Sequence, residues 1–320
     1  MTPDRYEVST SGRQRLKGAM QKRGTRMGYP TWVGFAMGFV FIAVGAAIML
    51  FIARKGALPG GHRGRGPAPQ WIPMVFGAIF AMAGFLPLGM SWRQSAAQRR
   101  RREAALRYPD EPALADYEWH PDGFEVSDWP AVAKAVAFAL VWTAFLSIFN
   151  WGAFRPNSPL VLRVITSVFD AVGLLIWIGA GRQFLRALKF GHSRIDFAVF
   201  PYHPPKPVEI RWRPHKGIAL VNKGTFTLRC VEEWTETQGV GKNRTVVVIH
   251  EEIWSARWVL EQPREFHPQE EIDLKFNLPP DARSTQLGAD KPVFWELEVK
   301  LDVPLLGFNE TYLVPVYGRA

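Results

Sequence analysis

One cysteine, Cys230, stands in 320 residues, so no intramolecular disulfide staples the chain, a pattern that fits a reducing compartment. Catalytic signatures are missing too. No G-x-S-x-G occurs, no Ser, His and Asp cluster is legible, and the seven histidines include no i,i+4 pair. Solvated or capping histidines are the expectation, with neither metal nor cofactor. Gly239-Val240-Gly241-Lys242 has part of a phosphate loop's composition, but the full G-x-x-x-x-G-K-[ST] spacing is absent and Asn243 follows the lysine. An enzyme is therefore not expected. The first 28 residues have no apolar core ahead of a small-residue cleavage site, so no cleaved secretory signal is expected either.

Charge is also scarce, but only in places. Residues 190–320 carry 16 Lys and Arg against 18 Asp and Glu, whereas residues 1–189 carry 23 against 11, so the basic excess belongs wholly to the first part. That part contains four long stretches nearly free of charge. Because the positive residues flank these stretches, anionic lipid headgroups are the expected partner and nucleic acid is not.

Residues 31–53 are uncharged and bracketed by Trp32 and Arg54-Lys55. At about 1.5 Å per residue, such a helix crosses the roughly 30 Å hydrocarbon layer. Residues 71–92 repeat the pattern with a tryptophan at each end, Pro73 being harmless in the first turn and Pro87 expected to kink the helix or end its regular part. Residues 131–152 hold only Lys134, whose stem can reach the headgroups, and residues 160–181 hold Arg163 and Asp170. The expectation is a transmembrane region over residues 31–189, with four helices. Residues 1–30, basic and poor in large apolar side chains, read as a disordered cytoplasmic tail.

Residues 93–130 read as a cytoplasmic segment. It opens with a helical extension carrying Arg99, Arg100, Arg101 and Arg102, expected on lipid headgroups, and closes with an acidic, aromatic loop or short helices. Counting Lys and Arg gives seven in the amino-terminal tail, six over residues 93–107 and three just after Gly181, against four and one in the two opposite loops. The positive-inside rule then places both termini in the cytoplasm of a cell inner or plasma membrane.

Beyond residue 190 the hydrophobic period becomes two. Phe226, Leu228 and Cys230 share one face; Ile272, Leu274 and Phe276 alternate with Asp273 and Lys275; Trp295, Leu297, Val299 and Leu301 alternate with Glu296, Glu298 and Lys300. Further strands are expected near residues 194–200, 208–213, 218–222, 245–258 and 308–316. About eight short strands predict an all-β antiparallel sandwich of the immunoglobulin or arrestin-like kind over residues 190–320. The run FNLPPDARST followed by FWELEVKLDVPLLGFNETYLVPVY resembles arrestin-type sandwiches. It is also similar to the tails of uncharacterised bacterial multi-span membrane proteins, through Trp295, Leu297, Val299, Asp302, Pro304, Val314, Pro315 and Val316. The resemblance implies a fold rather than an activity.

Four candidate sites follow. Asp170 in mid-helix costs on the order of 3 kcal/mol on insertion scales, so it either lines an ion or proton path with Arg163, two turns away, or, with Arg163 reaching outward, bonds to Ser147 or Asn150 of a neighbouring helix or is protonated. Gly34 and Gly38 form a G-x-x-x-G suited to close helix packing, within the chain or between copies. The arginine run marks the lipid face. Finally, the segment between Trp234 and Thr245, with Gln238, Gly239, Gly241 and Lys242, reads as a hairpin tip and partner loop. The expected function is a membrane-anchored, non-enzymatic scaffold that binds a protein partner at the cytoplasmic face; the alternative is a small transporter, channel or membrane-complex subunit built on Asp170.

Overall fold

The structure, a computed structural model, describes residues 5–9, 13–16, 22–24, 31–55, 71–108, 111–156, 158–239 and 244–318. Two compact units emerge: a helical one over residues 27–97 and 129–185, and a β unit assembled from residues 1–26, 98–128 and 186–320.

Among the described residues the helical unit contains four helices long and apolar enough to cross a membrane. They are α1 (Thr31–Lys55), α2 (Trp71–Arg107), α4 (Trp129–Ala153) and α5 (Leu160–Phe190). None has an acidic residue in its first turn, and their apolar side chains point in all directions: at most 17 % of any candidate span is buried. A helix apolar all round has no solvent face for water. Pro87 does not end α2, which runs on through the arginines to Arg107. The helix α5 also outruns the expected 160–181, because Ala187 and Phe190 in its last turn are buried.

In the β unit, β7 (Lys223–Gln238) pairs with β8 (Thr245–Leu260) on one side and β11 (Val293–Asp302) on the other, and β12 (Phe308–Val314) pairs with β11. A second antiparallel sheet has the order β10 (Ile272–Phe276), β5 (Val208–Pro214), β4 (His192–Phe197), β3 (Gly123–Ser127), and β6 (Ile218–Val221) pairs with β9 (Arg264–Phe266). Alternation dictates the packing. Val208, Ile210 and Trp212 of β5 with Ile272, Leu274 and Phe276 of β10 share one core with Phe226, Leu228 and Cys230 of β7 and Leu297, Val299 and Leu301 of β11. Full burial of each such side chain contributes about 1.5–3 kcal/mol.

Two expectations about boundaries change. Residues 1–30, read as a disordered tail, supply β1 (Arg5–Ser9) and β2 (Gln14–Arg15), both antiparallel to β8. Their polar sequence hides this because an edge strand can be held by main-chain pairing, here aided by Tyr6 edge-on to Trp258 at 6.2 Å. Of residues 93–130, grouped in the sequence reading with the helices as a cytoplasmic segment, residues 98–128 belong to the β unit. They supply β3 and the short helix α3 (Pro112–Asp116), and bring Ala113 and Trp119 onto the outer face of the large sheet with Val231, Phe294, Leu313 and Tyr317. Asp116 fixes the segment by accepting from the backbone N–H groups of Leu287 (2.8 Å) and Gly288 (3.0 Å) and from the Tyr317 hydroxyl (3.2 Å).

The two sheets are also joined by polar atoms. The Trp212 indole N–H donates to the Tyr312 hydroxyl at 3.1 Å, which donates to Ser193 Oγ at 2.5 Å. Tyr312→Phe keeps the ring and leaves two buried polar groups unmatched, so it is expected to destabilise by about 1–3 kcal/mol. Thermal unfolding of the purified full-length chain followed by tryptophan fluorescence checks this; an unchanged midpoint would contradict it.

Candidate functional site

Asp170 on α5 is met by α4. Asn150 Nδ2 donates to Asp170 Oδ1 at 2.8 Å and also lies 3.3 Å from the Leu146 carbonyl. Arg163 is directed elsewhere, its guanidinium donating to the carbonyls of Ala153 (3.3 Å) and Arg155 (3.2 Å) at the end of α4. The two charged residues thus serve separate contacts. Nearby, Trp177 Nε1 donates to Thr143 Oγ1 at 3.0 Å, a second polar tie between the same helices.

Gly34 and Gly38 lie against α2 of the same chain. A Cβ built at Gly38 would sit 2.7 Å from the Gly84 carbonyl oxygen, and one at Gly84 would sit 2.6 Å from that of Gly38; Gly45 and Gly77 oppose each other in the same way. Such approaches admit no side chain, so small residues bring the backbones together.

The four arginines divide. Arg100 pairs with Glu118 and Arg101 donates to the Asp116 carbonyl at 2.6 Å, while Arg99 and Arg102 are exposed. Half of the run is therefore turned to residues 116–118 of its own unit.

The hairpin of β7 and β8 is longer than its sheet. Pairing with β11 stops at Glu232, opposite Val293, whereas β7 and β8 remain paired from Glu233 opposite His250 out to Gln238 opposite Thr245. This two-stranded arm carries the predicted partner loop at its tip. Gln238 ends β7 exposed and Gly239 turns at φ +101°, a conformation glycine adopts freely. Gly241 and Lys242 lie outside the described residues.

A buried charge network at the root of this arm was not anticipated. Glu233 (2 % exposed) accepts from His250 Nε2 at 3.0 Å and from the backbone N–H groups of Arg23 (2.8 Å) and Gly24 (3.1 Å). Beside it, Arg229 bonds Glu296 at 2.6 Å and reaches Glu298 at 3.3 Å, and the Arg23 side chain donates to the Thr311 carbonyl at 3.0 Å. The only legible signal was charge at alternate positions of strands whose other face is apolar. Burial raises the Glu233 carboxyl's pKa, but the His250 hydrogen bond and the two backbone N–H groups outweigh it and hold the pKa below its usual value.

Elsewhere the rings of His192 and His215 lie 4.5 Å apart, tilted by 45°, in an open cleft of about 280 Å³ with Glu125, Arg194 and Arg213. Both arginines are paired, Arg194 with Asp196 and Arg213 with Asp196 and Glu271. Among the described residues no cluster of three or more His, Cys, Asp or Glu could hold a metal ion. Burial pushes the Cys230 thiol up to about 12, with Arg283 opposing and Glu232 adding to the shift, so the thiol stays protonated and unreactive at neutral pH.

Two outcomes follow from these contacts. Glu233→Gln removes the charge that holds Arg23 and Gly24, so hydrogen exchange at those two amides should rise about tenfold at neutral pH. Since the folded pKa of Glu233 lies below its unfolded value, its contribution is present above the unfolded value of 4.5 and is lost as pH falls through the folded one; corrected exchange rates in wild type should converge on those of Glu233→Gln in that range. Asp170→Ala removes the tie between α4 and α5, leaving Asn150 Nδ2 only the Leu146 carbonyl, and should cost about 1 kcal/mol, read as a lower unfolding midpoint of the helical unit.

No family model matches the chain, and no curated protein matches it. Among solved structures, the chain is similar to Spo0M, a sporulation control protein from Bacillus subtilis, at 14 % identity and a TM-score of 0.24, over 39 % of this chain and 48 % of that one. The chain thus matches about half the length of Spo0M. So slight a likeness carries no argument about activity, and the residues themselves must carry the functional reading.

Proposed function

We propose that this chain is an integral membrane protein that holds its β unit at the cytoplasmic face and binds a protein partner there through the β7–β8 arm. The membrane reading is supported by the helices' exposed apolar side chains, Trp32, Phe39, Leu86, Leu174 and Ile178 among them, for which water would be a poor solvent. Arginine and lysine counts favour both termini in the cytoplasm.

The arm is the observation that carries the binding reading. Two strands that run on past the pairing of β7 with β11, tied to the amino-terminal segment among the described residues by the Arg15–Glu236 ion pair, form an extension suited to accepting a partner strand or loop. Val246 on β8 is 67 % exposed, a large apolar side chain on a segment with no core of its own. The Asn150 bond to Asp170 favours a structural role for that carboxylate over a transport path, since its direct partner is an amide on a neighbouring helix rather than a titratable group.

Deleting residues 236–243 from the full-length protein should leave the unfolding midpoint of the β unit within about 0.5 kcal/mol of wild type, because the sheet ends before the arm. Co-purification from native membranes should then lose specific partners; an unchanged partner set would overturn the assignment of the arm.

A further inference from the structure

Among the described residues of the β unit four leucines are exposed, Leu106, Leu188, Leu220 and Leu305, and the last two stand apart by their backbones. Leu305, in the turn between β11 and β12, is 98 % exposed, and Leu220 on β6 is 63 % exposed. Both also have left-handed backbones, at φ +70° and +55°, where glycine or asparagine is the usual occupant. One exposed leucine needs no explanation. Two, each at a conformation that disfavours leucine, point to a surface that something apolar covers.

Their positions identify the cover. The two loops are tied to each other, Asn222 N–H donating to the Asp302 carbonyl at 3.0 Å. Each is also tied to the last turn of α5: Lys189 Nζ donates to the Pro304 carbonyl at 3.1 Å, and Lys216 Nζ donates to the Leu188 carbonyl at 2.7 Å. Phe190 is buried with its ring 5.2 Å from that of Phe308, so the helix end is part of the β core. The leucines therefore sit at the level where α5 ends. At about 1.5 Å per residue, the 31 residues of α5 extend roughly 46 Å, close to the 40–45 Å of a bilayer with both headgroup layers. Lys189 and Lys216, through these contacts, and Lys223, paired opposite Asp302, supply positive charge at the same end.

We propose that this end of the β unit is a lipid-binding surface. It lies in the headgroup layer of an anionic bilayer, with Leu305 and Leu220 directed into the acyl boundary and the three lysines on the headgroups. Amphipathic segments bind interfaces in this way, apolar side chains entering while cations stay outside. The inference rests on the membrane reading above and goes beyond it, because a spanning bundle does not require its attached domain to touch lipid.

The test uses the full-length chain in nanodiscs of phosphatidylcholine with about one third phosphatidylglycerol, an anionic surface. With Cys230 left in place, its thiol being buried and unreactive, Leu305→Cys, Leu174→Cys and Thr237→Cys each carry one environment-sensitive fluorophore. Leu305 has almost no packing to lose, so its substitution should not impair folding. The expected result is blue-shifted emission at position 305, quenched by a shallow nitroxide lipid and shielded from aqueous iodide, with position 237 showing the reverse. Iodide quenching at 305 equal to that at 237, while position 174 is quenched by lipid, overturns the lipid surface and leaves the membrane reading standing. Loss of lipid quenching at 174 overturns both. Equal lipid quenching at 305 in discs of phosphatidylcholine alone overturns the part assigned to the lysines.

Discussion

The β unit converges on Trp212. Its ring is fully buried and meets Phe226, Phe266 and Phe308 edge-on at 5.5–5.8 Å, so strands from all three sheets share one aromatic contact. Its indole N–H would be costly to bury without a partner, and Tyr312 supplies one. Apolar area alone sets no register. The hydrogen bond through Tyr312 to Ser193 adds direction, because a one-residue slip of β12 would turn that hydroxyl outward.

The opposite face of the large sheet is managed differently. There Arg229, Glu296, Glu233 and His250 are buried under the chain's own amino-terminal segment and flanked by an apolar patch under residues 113–119. Removing one member of such a buried pair commonly costs about 3–5 kcal/mol, whereas the intact pair roughly breaks even with an apolar replacement. The network therefore contributes more to arrangement than to stability: it fixes where Arg23 and Gly24 lie. It also sits at the root of the β7–β8 arm, so the segment that closes the sheet and the segment that leaves it share Glu233 and His250.

The helical unit solves a different problem with small residues and single polar ties. Gly38 against Gly84 and Gly45 against Gly77 bring α1 and α2 to backbone contact, while Asn150 to Asp170 and Trp177 to Thr143 join α4 and α5. On the proposed membrane reading lipid removes the usual hydrophobic drive between helices, and dispersion with a few hydrogen bonds is what holds them.

Much of this was legible in the chain. Charge-free runs of twenty or more residues dictate long apolar helices, because a run of that length has no other way to satisfy its backbone away from water, and alternation dictates the strands of residues 208–314. Asn150 was named among the partners open to Asp170 because both lie on neighbouring apolar runs. What the sequence left open was association. Strands β1, β2 and β3 carry no decisive pattern, since an edge strand is stabilised by a partner distant in the chain, and the fate of Arg100 and Arg101 depended on residues 116–118 folding back to meet them. Local composition determines which elements form; which charges are buried, and which leucines stay outside, is decided only when distant segments meet and exchange water for one another.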